Sequence, residues 1–356
     1  MVEADTPDVA VGPRVGASEI TFSLADPHHQ LTGVRLVHNL DLPSQPTQFR
    51  YDEPAGSWTL TLPRPPIRRM EYQLTLRYAD GTEETTTDPT NPVLTPGVFG
   101  DKSVLIAPEY TAPSWLAGAP AWPVGASLTV SSRVGPIEIT VLSPAEPTRR
   151  LLLAHDGPEF DRFAALGSFA ATVVRDGRVP PFHLALAAPG ARDERYSANP
   201  AYATALATAA LPELHGKLGT AGPIVLMGAS LGGLAALHTQ RRYPSSIGGL
   251  FLQSGSFFVP QYDECESGFP YYPRIIRYIS AVLRGAQPDG RAVPAVLTCG
   301  AAEENVHNNR LMTTTLRRQG YPADLHEVPD AHNYVAWRDS FDPYLTDLLA
   351  RVWSDA

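Results

Sequence analysis

Residues 224–237 read IVLMGASLGGLAAL. An apolar run suited to a buried strand ends on a serine flanked by Gly228 and Gly232, and an Ala/Leu-rich stretch suited to a helix follows. A turn this tight between strand and helix forces the serine into a strained backbone and brings chain segments into contact. Glycines two residues to either side remove the Cβ atoms that would clash. The stretch therefore predicts a strand, a nucleophile turn and a helix, with the hydroxyl of Ser230 presented at the carboxyl end of a sheet. A near-copy, VGASLTV at 124–130, has Thr129 in place of the fifth-position glycine pattern, so Ser127 reads as an ordinary strand-edge serine.

The surroundings of this unit repeat its logic. RRLLLAHDG (149–157), FHLALAAPG (182–190), IGGLFLQSGS (247–256) and PAVLTCG (294–300) are continuous apolar runs that end in small or polar clusters. Helix-like stretches lie between several of them, including 199–219 and 308–320. Strands that alternate with helices imply crossover connections and a mostly parallel sheet covered on both faces. The first 110 or so residues differ: SEITFSL, TGVRLVHNL, GSWTLTLP and MEYQLTLRYADG are short alternating runs bounded by turn signals. They predict a small antiparallel sandwich. The expected organisation is a β-sandwich domain over 1–115, a Pro/Ala/Gly-rich linker over 116–125 with Trp115 and Trp122 packing at a junction, and an α/β-hydrolase domain over 126–356.

Composition narrows the function. The chain has 356 residues, 43% of them apolar, and 28 basic against 37 acidic side chains give a net charge of −9. That balance argues against nucleic acid or an anionic membrane as partner. The opening MVEADTPDVAVGPRVG has neither the basic region nor the apolar core of a secretory leader. No apolar run reaches the roughly 18 residues of a membrane span. Cys265 and Cys299 stand apart, without metal-ligand or disulfide-framework spacing. A cytoplasmic protein without metal or cofactor is expected; oligomeric state is left open.

A serine hydroxyl needs a base within hydrogen-bond reach, oriented by a carboxylate. On this fold the order is serine, acid, histidine. His332 in VPDAHNYVAW follows the last expected strand and is the candidate base. His238, His307 and His326 occupy a helix, a helix start and a strand. The acid is expected in TCGAAEENVHNN, at Glu303 first and Glu304 second, with Asp330 as a further candidate. One oxyanion donor is expected at the N–H of Leu231, at the start of the helix. The other should follow LLLAHDG; Pro158 has no N–H, which leaves Glu159, Gly157 or the His155 side chain.

The combination of LLLAHDGPEF, RDERYSANPAY, MGASLGGLAALH, GGLFLQSGSFF, TCGAAEENVHNNRLMTTTLRRQGY and DAHNYVAWRDSF resembles the esterase D / enterochelin esterase family of α/β-hydrolases over most of 126–350. MEYQLTLRYADGTEETTTDPTNP is similar to the immunoglobulin-like early-set module that precedes such domains. The resemblance implies a metal-independent serine esterase. It puts the acid at Glu303, three residues after Gly300, and pairs His332 with Trp337 five residues later. It also implies an ester of a catecholate siderophore or a related aryl ester as substrate, a ferric siderophore among the candidates. Feruloyl or acetyl esterases and acyltransferases belong to the same family, and a hydrolase-fold binding protein is the non-enzymatic alternative. Arg192, Arg195, Tyr196, Arg274 and Trp337 are the expected substrate-binding residues, with the segment 255–278 as an aromatic wall. Arg195 and Tyr196 stand where the enterochelin pattern often has glutamate and leucine.

Overall fold

The computed structural model describes residues 12–41, 45–285 and 291–354, so most of the opening stretch discussed above lies outside the described residues. The chain divides into two compact units. The first comprises 1–111 with two short segments from later in the chain, Ala301–Glu303 and Pro329–Ala331; the second holds the remainder from Ala112.

The first unit is all-β. Glu19–Ala25 shows why: Ile20, Phe22 and Leu24 are buried while Thr21 and Ser23 point outward, the two-residue period of a half-buried strand. This strand pairs antiparallel with Ser57–Pro63, which pairs in turn with Arg50–Asp52. A second antiparallel sheet joins Leu31–His38 to Arg69–Tyr78, and the latter to Lys102–Ile106. Apolar side chains of both sheets, among them Phe22, Leu36, Trp58 and Leu74, merge into one core. That is a sandwich, as the alternation predicts. The carbonyl of Ala302 accepts from the Asp41 N–H at 2.8 Å, and Ala302 and Ala331 join this core.

The second unit is built on an eight-stranded sheet. Its spatial order is Val124–Val130, Ile137–Leu142, His183–Ala187, Leu151–His155, Ile224–Ala229, Ile247–Gln253, Ala295–Gly300 and Ala323–Val328. From His183–Ala187 onward all neighbours are parallel; Ile137–Leu142 runs against them. The central strands are buried throughout, which explains their unbroken apolar sequences. Alternate residues serve opposite cores. Leu226, Leu250 and Leu297 face one cluster with the helices Leu231–Arg242 and Tyr272–Leu283, while Val225, Met227 and Phe251 face another with Leu166–Arg175 and Thr346–Trp353. The result is an α/β-hydrolase sheet covered on both faces.

The linker reading needs adjustment. Trp115 packs edge-on to Phe169, with ring centroids 5.3 Å apart, and Trp122 likewise meets Phe182 at 5.4 Å. Trp115 is buried in the hydrophobic core of the second unit, and Trp122 packs against that core partly buried. Ser127 is exposed on the outermost strand of the sheet. No described helix is long and apolar enough to cross a membrane.

Candidate active site

The strand Ile224–Ala229 hands directly to the helix Leu231–Arg242, and Ser230 between them has φ 56° and ψ −124°. A non-glycine residue in that region is strained and persists only where its surroundings over-determine it. Here the N–H of Ser230 donates to the Gln253 carbonyl at 2.9 Å, and its own carbonyl accepts from Leu234 at 3.2 Å and Ser256 at 3.1 Å. A Cβ on Gly228 would lie 2.5 Å from the carbonyl carbon of Gly232. A Cβ on Gly232 would meet that of His155 at 3.2 Å. Gly228 is therefore required by the turn, and Gly232 sits in tight contact with His155.

Ser230 opens on a cavity of about 180 Å³ lined by Leu231, His332, Arg192, Ser256, Phe258, Phe269, Asn305, Glu266 and Glu304. The Oγ of Ser230 has one hydrogen-bond partner among the described residues, the Oγ of Ser256 at 3.1 Å. The N–H of Leu231 lies in the first helical turn, where backbone donors have no intrahelical acceptor. His332 meets Trp337 edge-to-face with centroids 5.0 Å apart, and its Nδ1 is 3.3 Å from the Nδ2 of Asn305. The indole N–H of Trp337 donates to the Oγ of Ser254 at 3.0 Å, which fixes the aromatic face behind the imidazole.

Arg192 enters the cavity already paired. Asp156 follows the strand Leu151–His155 with φ 52° and is buried. Its carboxylate takes Nε of Arg192 at 2.9 and 3.0 Å and Nη2 at 2.8 Å. Burial opposes the charged guanidinium, but Asp156 beside it outweighs that cost and holds the group above its ordinary pKa. The adjoining Gly157 admits no side chain, since a Cβ would lie 2.3 Å from the Cα of Leu186. His155 is fully buried; burial pushes its pKa down to about 4, and its Nδ1 sits 3.1 Å from the Met227 carbonyl. It is a neutral core histidine.

The remaining expected residues differ in burial and in partners. Glu303 is only 1% exposed and belongs to the segment Ala301–Glu303, whereas Glu304 is exposed on the cavity wall. Asp330 is buried and accepts the N–H of Ala331 at 2.7 Å. Glu159 sits in the first turn of the helix Gly157–Ala164 and does not line the cavity. Arg195 is buried and donates to the carbonyls of Val134, Pro136 and Pro189. Arg274 donates to the carbonyls of Ser197 and Glu194. Tyr196 is buried with its hydroxyl accepting from the Asp156 N–H at 3.3 Å. These three side chains brace the loops around the cavity. Of the segment 255–278, Phe258 and Phe269 supply the aromatic wall.

Ser256, Asn305 and Glu266 are additions that sequence reasoning missed. Only Ser256 left a signal: Ala229 pairs with Gln253, so the residues just after the neighbouring strand must approach Ser230. Glu266, Glu304 and Cys265 bring one oxygen or sulfur each within 4.8 Å of one another. Partial burial and the carboxylates of Glu304, Glu266 and Asp263 push the Cys265 thiol up. Glu266 and Glu304 of this group line the cavity, and Cys265 does not.

Comparison with known proteins gives the family and the fold. A family model described as "Putative esterase" matches residues 135–348. Ferric enterobactin esterase from Salmonella typhimurium has a TM-score of 0.76 at 19% identity, covering 97% of each chain. Enterobactin esterase from Shigella flexneri, crystallised in the presence of enterobactin, has a TM-score of 0.74 at 19% identity, covering 97% of this chain and 96% of its own. A ferulic acid esterase has a TM-score of 0.53 at 18% identity, covering 64% of this chain and 98% of its own. No curated protein matches the chain.

Proposed function

The chain belongs to the esterase family, and from that premise we propose that it is a serine ester hydrolase working through an acyl-enzyme, with Ser230 as nucleophile, His332 as base and Glu303 as orienting acid. The observation that carries this reading is the strained Ser230, φ 56°, sharing one cavity with His332 at the carboxyl end of the sheet. Ser230 attacks the ester carbonyl while its proton passes to His332. His332 returns that proton to the leaving alkoxide, and water repeats the cycle on the acyl group. Glu303 suits the acid because its buried carboxylate follows the strand Ala295–Gly300, and a buried charge needs a cationic or hydrogen-bonding neighbour.

Leu231 supplies one oxyanion donor. For the second, Arg192 is a better candidate than the amide of Glu159, since Arg192 lines the cavity and Glu159 does not. Asp156 aims the guanidinium without the freedom a surface arginine would have.

The substrate is an aryl-bearing small ester, a catecholate trilactone before a feruloyl-type ester. The Phe258 and Phe269 wall supports this, as do structural relatives named for enterobactin and ferulic acid. The charge of the wall refines it. Arg192 is matched by Asp156, and Glu266 adds a carboxylate to the lining. An iron-free trilactone suits such a cavity better than its polyanionic ferric complex. The test compares kcat/KM for wild type and Ser230→Ala on p-nitrophenyl acetate, iron-free enterobactin and the ferric complex. Ser230→Ala should lose about a thousandfold or more on every ester turned over. Retention of a tenth of wild-type activity would refute the nucleophile.

A further inference from the structure

We propose that Ser256 is a positioning residue for the nucleophile, its hydroxyl donating to the Oγ of Ser230 so that the proton of Ser230 is left for His332. The proposal rests on the reading of Ser230 as nucleophile. Its basis is the 3.1 Å contact between the two hydroxyl oxygens, on a side chain only 2% exposed.

The loop that carries Ser256 has no room to adjust. Ser254 has φ 46°, and its N–H donates to the Thr298 carbonyl at 2.7 Å. Gly255 is clamped by Asn309, which accepts its N–H at 3.1 Å and donates to its carbonyl at 2.9 Å. A Cβ on Gly255 would sit 2.4 Å from the ring of Phe257. The N–H of Ser256 then donates to the Ser230 carbonyl at 3.1 Å. Two strands and the helix Val306–Arg318 thus fix the Ser256 hydroxyl beside the nucleophile, and this hydroxyl has no other hydrogen-bond partner among the described residues.

A hydroxyl carries one donor and two acceptor lone pairs. With Ser256 donating, one lone pair of Ser230 Oγ is occupied and its proton is directed away from Ser256. On attack, a second lone pair forms the bond to the acyl carbon, the carbonyl π pair moves to oxygen, and the Ser230 proton goes to the His332 imidazole. Ser256 keeps its own proton throughout. Its hydrogen bond strengthens as negative charge develops on Oγ, so it acts on the acylation rate more than on substrate binding.

The test measures second-order labelling of Ser230 by a neutral fluorophosphonate, together with kcat and KM for p-nitrophenyl acetate, in wild type and three variants. Ser256→Ala should slow labelling and lower kcat by about tenfold or more, with KM within about twofold. Ser256→Cys nearly preserves shape but is a poor donor, and should be as slow as Ser256→Ala even if the alanine variant folds badly. Ser256→Thr keeps the hydroxyl and should recover most of the rate. Wild-type labelling rates in Ser256→Ala, or a Cys variant as fast as wild type beside a slow Ala variant, would overturn the role. Wild-type protein that takes no label at Ser230 would instead remove the nucleophile reading on which the role depends.

Discussion

At Ser230 the whole reading meets one backbone geometry. Gly228→Ala places a methyl carbon 2.5 Å from the Gly232 carbonyl carbon, a contact the rigid turn cannot relieve. Urea denaturation should show a loss of about 2–3 kcal/mol, with slower ester hydrolysis by the folded fraction; an unchanged midpoint would mean the turn has slack. The two loop glutamates should separate as sharply. Glu303→Gln removes a buried charge and should depress kcat by orders of magnitude, toward the roughly ten-thousandfold seen when a triad acid is neutralised, while Glu304→Gln alters an exposed wall. The reverse ranking in steady-state kinetics would move the acid to Glu304. The turn at Ser230 was legible in the sequence because a strand-to-helix turn this tight imposes a local glycine pattern. Ser256 and Asn305 were not, because their proximity to the site comes from strand register and an asparagine network spanning Asn305, Asn308 and Asn309.

Elements explain why the arginines part company. Arg192 and Arg195 are three residues apart on the short helix Arg192–Tyr196, yet one reaches Asp156 and the cavity while the other is spent on backbone carbonyls. Nothing in RDERY distinguishes a guanidinium aimed at substrate from one that satisfies a loop, since both need only a charged, long side chain. Arg195→Met should leave the carbonyls of Val134, Pro136 and Pro189 without this donor and lower the melting temperature, by about 1–2 kcal/mol of stability, with little change in KM for the protein that remains folded. An unaltered melting temperature with a raised KM would return Arg195 to the substrate. The strands were easier to read. Parallel strands buried on both faces must be apolar throughout, and antiparallel strands of the first unit must alternate, so sheet type was written in the residue period.

Across the whole molecule, buried histidines and cavity charge set the response to conditions. Burial lowers His155 from 6.5 to about 4 and His238 to about 3. Their folded pKa values lie below the unfolded ones, so the unfolded chain binds more protons between those limits. Stability should therefore be full above about pH 6.5 and fall as pH drops toward 4. Melting temperatures at pH 7 and pH 5 check this, and a flat profile would contradict the buried neutral state. Ester preference should follow charge: iron-free enterobactin above its ferric complex in kcat/KM, with the gap narrowing in high salt; faster turnover of the ferric form would overturn the acidic-wall reading. The two-part architecture was visible as a change from alternating to continuous apolar runs. The place of Trp115 and Trp122 was not, because a Pro/Ala/Gly-rich stretch looks like a linker whether or not its aromatics join a core. The most direct measurement of the central claim is capture of the acyl-enzyme. An aryl ester in turnover is quenched in acid, and the protein is digested and mapped by mass spectrometry. A mass increment equal to the acyl group on the peptide holding Ser230, absent in Ser230→Ala, is the predicted result. An increment on another peptide, or steady turnover by Ser230→Ala with no adduct, would contradict it.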